Sequence, residues 1–110
     1  MLPRRNRING SWFKRVYRRG KKIRTKTLQA VIMSNNVGFF CSTVVGIKRV
    51  KSAVQRNNIR RKMYGIVEEV LDHNQKMSII LLYKGEYSAY NTSEIRREMQ
   101  DIQRQISALI

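Results

Sequence analysis

The sequence predicts an α/β fold of the α+β kind, a two-layer sandwich in which a mixed sheet of about four strands packs on helices. Three observations lead there. Residues 37–47 alternate, with Val37, Phe39, Cys41, Thr43, Val45 and Ile47 on one face and Gly38, Phe40, Ser42, Val44 and Gly46 on the other. That is the period of a strand. Near the C-terminus Ile95, Met99, Ile102, Ile106 and Leu109 recur every three or four residues, the seam of a helix laid on a sheet. The 110 residues are 42% apolar, enough for one modest core and too apolar for a disordered basic tail. We therefore expect a single domain over residues 1–110, with 1–10 as an extended basic arm.

The elements follow in order. Ser11 is placed to cap a short helix running to about Arg19, with Gly20 as its stop. Its apolar patch is Trp12, Phe13, Val16 and Tyr17, and Phe13 and Tyr17, four apart, share a face. Residues 21–26 form a basic loop or a short extra strand. Thr27–Met33 reads as a strand, joined to the alternating strand by a hairpin turn at Ser34-Asn35-Asn36. A helix then runs from near Ser52 to about Asp72. Ile59, Met63, Ile66, Val67 and Val70 fall in one sector about 100° wide, with Asn57, Arg60 and Arg61 on the other side. Arg56 falls at the apolar edge, its stem expected along the core rim and its guanidinium outside. After a turn at His73-Asn74-Gln75-Lys76 comes the strand Met77–Tyr83, then a loop, then a last helix capped by Asn91 or Thr92. The predicted order is α-β-β-(β)-α-β-α.

Charge is distributed very unevenly along the chain. The first 62 residues hold 18 of the 23 Lys and Arg and no acidic residue, while the remainder carries five basic and seven acidic side chains. Like charge packed so densely opposes folding unless a polyanion neutralises it, and nucleic acid is the first candidate. Enzymatic chemistry by the chain itself is not expected. There is one histidine, His73, and the carboxylates Glu68, Glu69, Asp72, Glu94, Glu98 and Asp101 suit helix surfaces better than a catalytic or metal cluster. Lone Cys41, in an apolar run, reads as a buried structural thiol. No window approaches a membrane span and no signal-peptide pattern follows Met1, so we expect a soluble, cytoplasmic protein without membrane contact.

The most specific segment is Lys48-Arg49-Val50-Lys51-Ser52-Ala53-Val54-Gln55-Arg56-Asn57-Asn58-Ile59-Arg60-Arg61. It resembles the signature of the bacterial ribonuclease P protein component: a basic pair at a strand end, a short linker, then Ala-Val-x-Arg-Asn-Arg-Ile-Lys-Arg entering a helix. Leu2-Pro3, Asn6-Arg7 and Phe13-x-x-Val16-Tyr17-x-x-Gly20-Lys21 resemble the family's opening. Three departures stand out. Asn58 replaces the third residue of the Arg-Asn-Arg triplet, Lys51-Ser52 replaces Gly-Lys, and Ser42 and Thr43 stand where Val-Gly is usual.

The resemblance implies a left-handed β-α-β crossover and a role as the protein subunit of ribonuclease P, which removes the 5′ leader of precursor tRNA. It implies that the RNA subunit does the chemistry with Mg²⁺, that the protein binds no cofactor of its own, and that no obligate protein partner is needed. Lys48, Arg49, Lys51, Arg56, Asn57, Arg60 and Arg61 would grip the catalytic RNA. Arg4, Arg5, Arg7, Lys21, Lys22, Arg24 and Lys26 would add phosphate contacts. Aromatics four apart on a short helix ordinarily belong to a core, but by resemblance Phe13 and Tyr17 map to the cleft for the leader, with Trp12 in the core or at its rim. The alternative is a structural ribosomal RNA-binding protein, which would bury Phe13 and Tyr17. A protein-only nuclease lacks its carboxylate or histidine cluster here, and a helix-turn-helix DNA reader lacks the helix before the basic one.

Overall fold

Residues 77–83, Met-Ser-Ile-Ile-Leu-Leu-Tyr, carry no charge, and all seven are buried. Such a strand has to lie at the centre of a sheet covered on both faces. The structure, a computed structural model, describes residues 6–8 and 10–109. Its elements are α1 (Gly10–Arg19), β1 (Lys21–Arg24), β2 (Leu28–Ser34), β3 (Phe40–Val45), α2 (Ala53–Val70), β4 (Met77–Tyr83) and α3 (Thr92–Leu109). The sheet order is β1-β2-β4-β3, so the apolar β4 is indeed inside. It pairs antiparallel with β2, Leu28 opposite Tyr83, and parallel with β3, Val45 opposite Tyr83. β1, a short strand after all, forms a hairpin with β2.

The expected hairpin between the second and third strands does not exist. Strands β2 and β3 are not neighbours, because β4 lies between them. The Asn35 side chain accounts for the redirected chain. Its Oδ1 accepts the N–H groups of Val37 and Gly38 at 2.8 and 2.9 Å, while its Nδ2 donates to Ser78 Oγ at 2.9 Å. The turn is therefore braced on β4 and steps across it. Strand β3 is correspondingly shorter than its alternation implied. Val37 and Ile47, expected in the core, are exposed because they lie outside the ladder. Connecting β3 to β4 in parallel is α2, a β-α-β crossover.

Alternation along the strands makes two cores. Towards α2 and α3 point Leu28, Ala30, Ile32, Cys41, Ile79, Leu81 and Tyr83, meeting Ile59, Met63, Ile66, Val67, Ile95, Met99, Ile102 and Ile106. This is the expected sandwich, except that Leu109 at the end of the α3 seam is exposed. On the other face Val31, Ile80 and Leu82 meet Ile8 and Val16, with Trp12 and Phe40 at the margin in an edge-to-face contact of 4.6 Å. Helix α1 covers that face only in part.

Two local devices hold the frame. Helix α1 begins one residue before the expected cap, at Gly10 with φ of 57°, and ends at Gly20, whose N–H bonds Val16 O at 2.8 Å. A Cβ at Gly20 would lie 2.6 Å from Val16 O and from Val31 Cγ1, so the helix and β2 meet too closely for any side chain. At the far side Glu98 of α3 clamps the β1–β2 turn. It accepts the Thr25 hydroxyl, the Thr27 hydroxyl at 2.6 Å, and the N–H groups of Thr27 and Leu28 at 2.7 and 3.2 Å. Burial by itself would raise the Glu98 pKa, but these hydrogen bonds outweigh it and hold the carboxyl below its ordinary range.

Gly20→Ala should lower unfolding free energy by about 1–3 kcal/mol through forced displacement, read from urea denaturation. Glu98→Gln should cost about 1–2 kcal/mol near neutral pH, where a charge-assisted network is lost. Because the folded pKa is depressed, the carboxylate's contribution is complete above the ordinary Glu value of about 4.3 and disappears as pH falls through the folded pKa. Denaturation curves of the two proteins should therefore converge in acid.

Candidate nucleic-acid interface

One end of the sheet collects cations. Strands β3 and β4 finish there together, β2 starts there opposite Tyr83, and Arg24 of β1 stands opposite Gln29. The linker after β3 turns tightly, Gly46 O accepting the N–H groups of Arg49 and Val50, both at 3.1 Å. Val50 is buried as the plug of this turn, while Lys48, Arg49 and Lys51 are exposed around it. The basic pair thus lies in the turn just beyond the strand. Arg24, Lys26, Arg49 and Lys84 border a hollow of about 280 Å³.

Helix α2 opens at the same place. Ser52 is its cap, Oγ accepting Gln55 N–H at 3.3 Å, and its first turn contains no acid. The partial positive charge of the helix end therefore adds to that of the linker. Arg56 folds back on this linker, Nη1 donating to Val50 O at 2.9 Å and Lys51 O at 2.8 Å. Its guanidinium is held against the backbone instead of lying free beside Arg60, so it shapes the basic turn as well as adding charge. Asn57 and Arg61 are exposed along the helix, and Asn57 Oδ1 accepts Arg60 Nη1 at 3.3 Å.

The open part of the α1 face forms a cleft of about 580 Å³ bordered by Arg7, Phe13, Val44, Arg60 and Tyr64 among others. Residues 6–8 of the arm are fastened here rather than extended away. Ser42 Oγ accepts Ile8 N–H at 2.9 Å and donates to Ile8 O at 2.8 Å, and Asn6 Nδ2 donates to Phe39 O at 3.1 Å. This sets the Arg7 guanidinium 4.6 Å from the centre of the Tyr64 ring. The Nε atoms of Arg7 and Arg60 are both buried without a hydrogen-bond partner among the described residues. At the lip, Phe13 and Tyr17 stack with centroids 6.2 Å apart and an interplanar angle of 17°. Phe13 is half-buried and Tyr17 is 42% exposed.

The structure thus gathers Lys48, Arg49, Lys51, Arg24 and Lys26 at the sheet end, and Arg7, Arg60, Phe13 and Tyr17 at the cleft. Lys21 and Lys22 are exposed on β1 towards its other end, opposite Ile32 and Val31, and join neither group. Arg4 and Arg5 lie outside the described residues. Sequence reasoning missed Ser42 as the anchor of the arm and Tyr64 as the cleft floor. Tyr64 was within reach, being four residues after Arg60 and so on its face. His73 lies at the end of α2, stacked on Phe39 at 4.6 Å with Nε2 3.2 Å from Val67 O. Burial pushes the Cys41 thiol far above its ordinary pKa, which leaves it protonated and unreactive. Among the described residues no group of three His, Cys, Asp or Glu side chains could hold a metal ion, and no helix is long and apolar enough to cross a membrane.

An α+β sandwich with cations at one sheet end and an aromatic-lipped basic cleft beside it is a polyanion binder of the RNA-binding class. The chain belongs to the ribonuclease P protein family: the family model described as Ribonuclease P matches residues 2–107. Among solved structures it resembles the RNase P protein of Staphylococcus aureus with a TM-score of 0.74 and 21% identity, covering 93% of this chain and 94% of that one. It also resembles the RNase P protein of Thermotoga maritima, TM-score 0.72 and 16% identity, over 84% and 89% of the two chains. At these identities the likeness speaks for the fold. No curated protein sequence matches the chain. Membership makes it a protein subunit of ribonuclease P, partner of the ribonuclease P RNA in maturing the 5′ end of tRNA.

Two substitutions separate charge from architecture. Arg61→Ala should reduce the slope of log affinity for ribonuclease P RNA against log salt by about 1 and leave stability unchanged. Arg56→Ala should instead lower unfolding free energy by about 1–2 kcal/mol, since two linker carbonyls lose their donor. Salt-dependent filter binding and thermal melts read the two effects.

Proposed function

We propose that this subunit works by holding RNA, the ribonuclease P RNA carrying out the hydrolysis, and that the cleft under α1 receives the single-stranded 5′ leader of precursor tRNA. The observation that carries the reading is the pairing of two chemistries in one cleft: two guanidinium groups with buried, unpartnered Nε donors, and an aromatic pair at the lip. Phosphates answer the first and unpaired bases the second. Tyr17 is exposed beside Phe13, an arrangement that a ribosomal protein burying both rings would not need.

The exposed cations Lys48, Arg49, Lys51 and Arg61, with Arg56 bracing the turn, then face the ribonuclease P RNA, and exposed Asn57 beside them contributes an amide. Arg24 and Lys26 extend this surface round the sheet end. Counter-charge of this kind lowers the repulsion between two RNA molecules that must pack closely, and so reduces the divalent cation needed for assembly. Mg²⁺ in the holoenzyme finds no cluster of ligating side chains among the described residues, and in this reading it belongs to the RNA. The particle would act in the cytoplasm, with precursor tRNA as substrate.

The test is cleavage of precursor tRNA at low Mg²⁺ by ribonuclease P RNA with and without the protein. Correct 5′ cleavage that needs both components is expected, and cleavage by the protein alone would overturn the division of labour. Phe13→Ala should weaken binding of leader-bearing substrate by about 5- to 100-fold, as for loss of one base stack, and spare mature tRNA. Equal loss for both would remove the cleft assignment.

A further inference from the structure

Asn58 stands where the family's triplet carries a third basic-motif residue, Arg, so this chain has one charge fewer on the outer face of α2. The structure shows what the asparagine does instead. Its Nδ2 donates to Tyr87 Oη at 3.0 Å, tying the β4–α3 loop to the helix. The loop is itself well braced: Tyr83 Oη donates to Glu86 O at 2.8 Å, and Tyr90 N–H to Tyr87 O at 3.2 Å. Tyr87 is thereby fixed at both its backbone and its hydroxyl, yet remains 37% exposed. Val54, one turn before Asn58 on the same face, is 79% exposed. With Gln55, Asn57 and Arg61 these residues border a hollow of about 380 Å³.

The surface is chemically odd for a phosphate site. A phosphate gains nothing from a valine and a tyrosine ring, and exposing them in the most basic part of the molecule costs hydration free energy. An unpaired nucleobase uses every part of the hollow. Its flat face stacks on an aromatic ring, its rim covers an aliphatic side chain, its polar edge meets amides such as Gln55 and Asn57, and its phosphate reaches Arg61. Holding the ring by a hydrogen bond reduces the ordering cost that binding would otherwise incur.

We infer that Asn58 and Tyr87 form a stacking subsite for one unpaired nucleobase of the ribonuclease P RNA, replacing a phosphate contact by a base contact. The inference rests on the reading of α2 as the face towards that RNA. It makes Tyr87 a reader of an unpaired, splayed-out base, a feature of RNA shape that phosphate contacts do not sense.

The experiment measures binding of the full chain to ribonuclease P RNA from the same genome, and to an unrelated structured RNA of equal length, across a salt series. Wild type, Tyr87→Ala, Tyr87→Trp and Arg61→Ala are compared, with melts to confirm folding. Tyr87→Ala should lose about 5- to 100-fold in affinity for the ribonuclease P RNA, with the salt slope of wild type. Tyr87→Trp should restore most of it, and Arg61→Ala alone should flatten the slope. If wild type prefers the ribonuclease P RNA and folded Tyr87→Ala binds it within about twofold, the subsite is wrong and the subunit reading stands. Should Tyr87→Trp bind like wild type and Tyr87→Ala fail to fold, a photo-crosslink from the Tyr87 position to an RNA base decides: its presence supports the subsite and its absence overturns it. Were wild type to bind both RNAs equally, the reading of α2 as the face towards ribonuclease P RNA and the subsite would fall together. RNA binding unaffected by Tyr87→Ala with loss of self-association would assign the patch to protein contact and overturn the inference.

Discussion

The parallel ladder between β3 and β4, running from Phe40 opposite Ser78 to Val45 opposite Tyr83, sets the position of the basic linker and of the helix that follows it. Parallel neighbours cannot be joined by a tight turn, so the chain has to leave β3, travel the length of the sheet and re-enter at the start of β4. Helix α2 is that return path. Its N-terminus therefore lies beyond the same sheet end as Lys48 and Arg49, and its Arg60 and Tyr64 lie against β3. The pairing also leaves β3 at the sheet edge, where Ser42 can take hold of Ile8. One hydrogen-bonded ladder thus positions the basic turn, the basic helix and the anchor of Ile8.

Charge is sorted along the same lines. Acidic side chains on the later part of α2 and on α3 are used internally: Glu69 pairs with Arg96 at 3.1 Å, Asp101 with Arg104 at 3.3 Å, and Glu98 closes the β1–β2 turn. Helix α3, with Arg96, Arg97 and Arg104 against Glu94, Glu98 and Asp101, is formally neutral. Among the described residues no ion pair reaches Lys48, Arg49, Lys51 or Arg61; Lys26 meets Glu94 at 4.0 Å, a weak, solvent-screened contact. Repulsion within the basic half is therefore left for counter-ions or RNA to relieve, which couples folding stability to ionic strength.

Much of this was legible in the sequence. Helix α3 and β4 could be placed because their periodicity is clean and their flanks are polar. The Ser52 cap and the buried set Ile59, Met63, Ile66 and Val67 could be read for the same reason. What could not be read was pairing. Ser34-Asn35-Asn36 carries the chemistry of a hairpin turn, and nothing local reveals that Asn35 will bond Ser78 from a strand more than forty residues later. Alternation likewise overran the real limits of β3, since Val37 and Ile47 fit the pattern but have no ladder to join. At the interface, residue type showed which side chains were cationic but not which were free. Arg56 also braces the linker, Arg7 was expected in an extended arm and lies on Tyr64, and Glu98 looked like a surface acid and is a clamp.

The central position of β4 also fixes the order in which the protein can be completed during synthesis. β1 and β2 can pair as soon as they emerge, but β2 and β3 share no partner until residues 77–83 have followed them. Up to that point the ribosome has released a chain carrying 18 basic side chains before its first acidic one. That nascent segment has its charges but not its shape, in a compartment crowded with RNA. Because the sheet closes only with its last strand, the basic segment cannot take its final shape until residues 77–83 have been made.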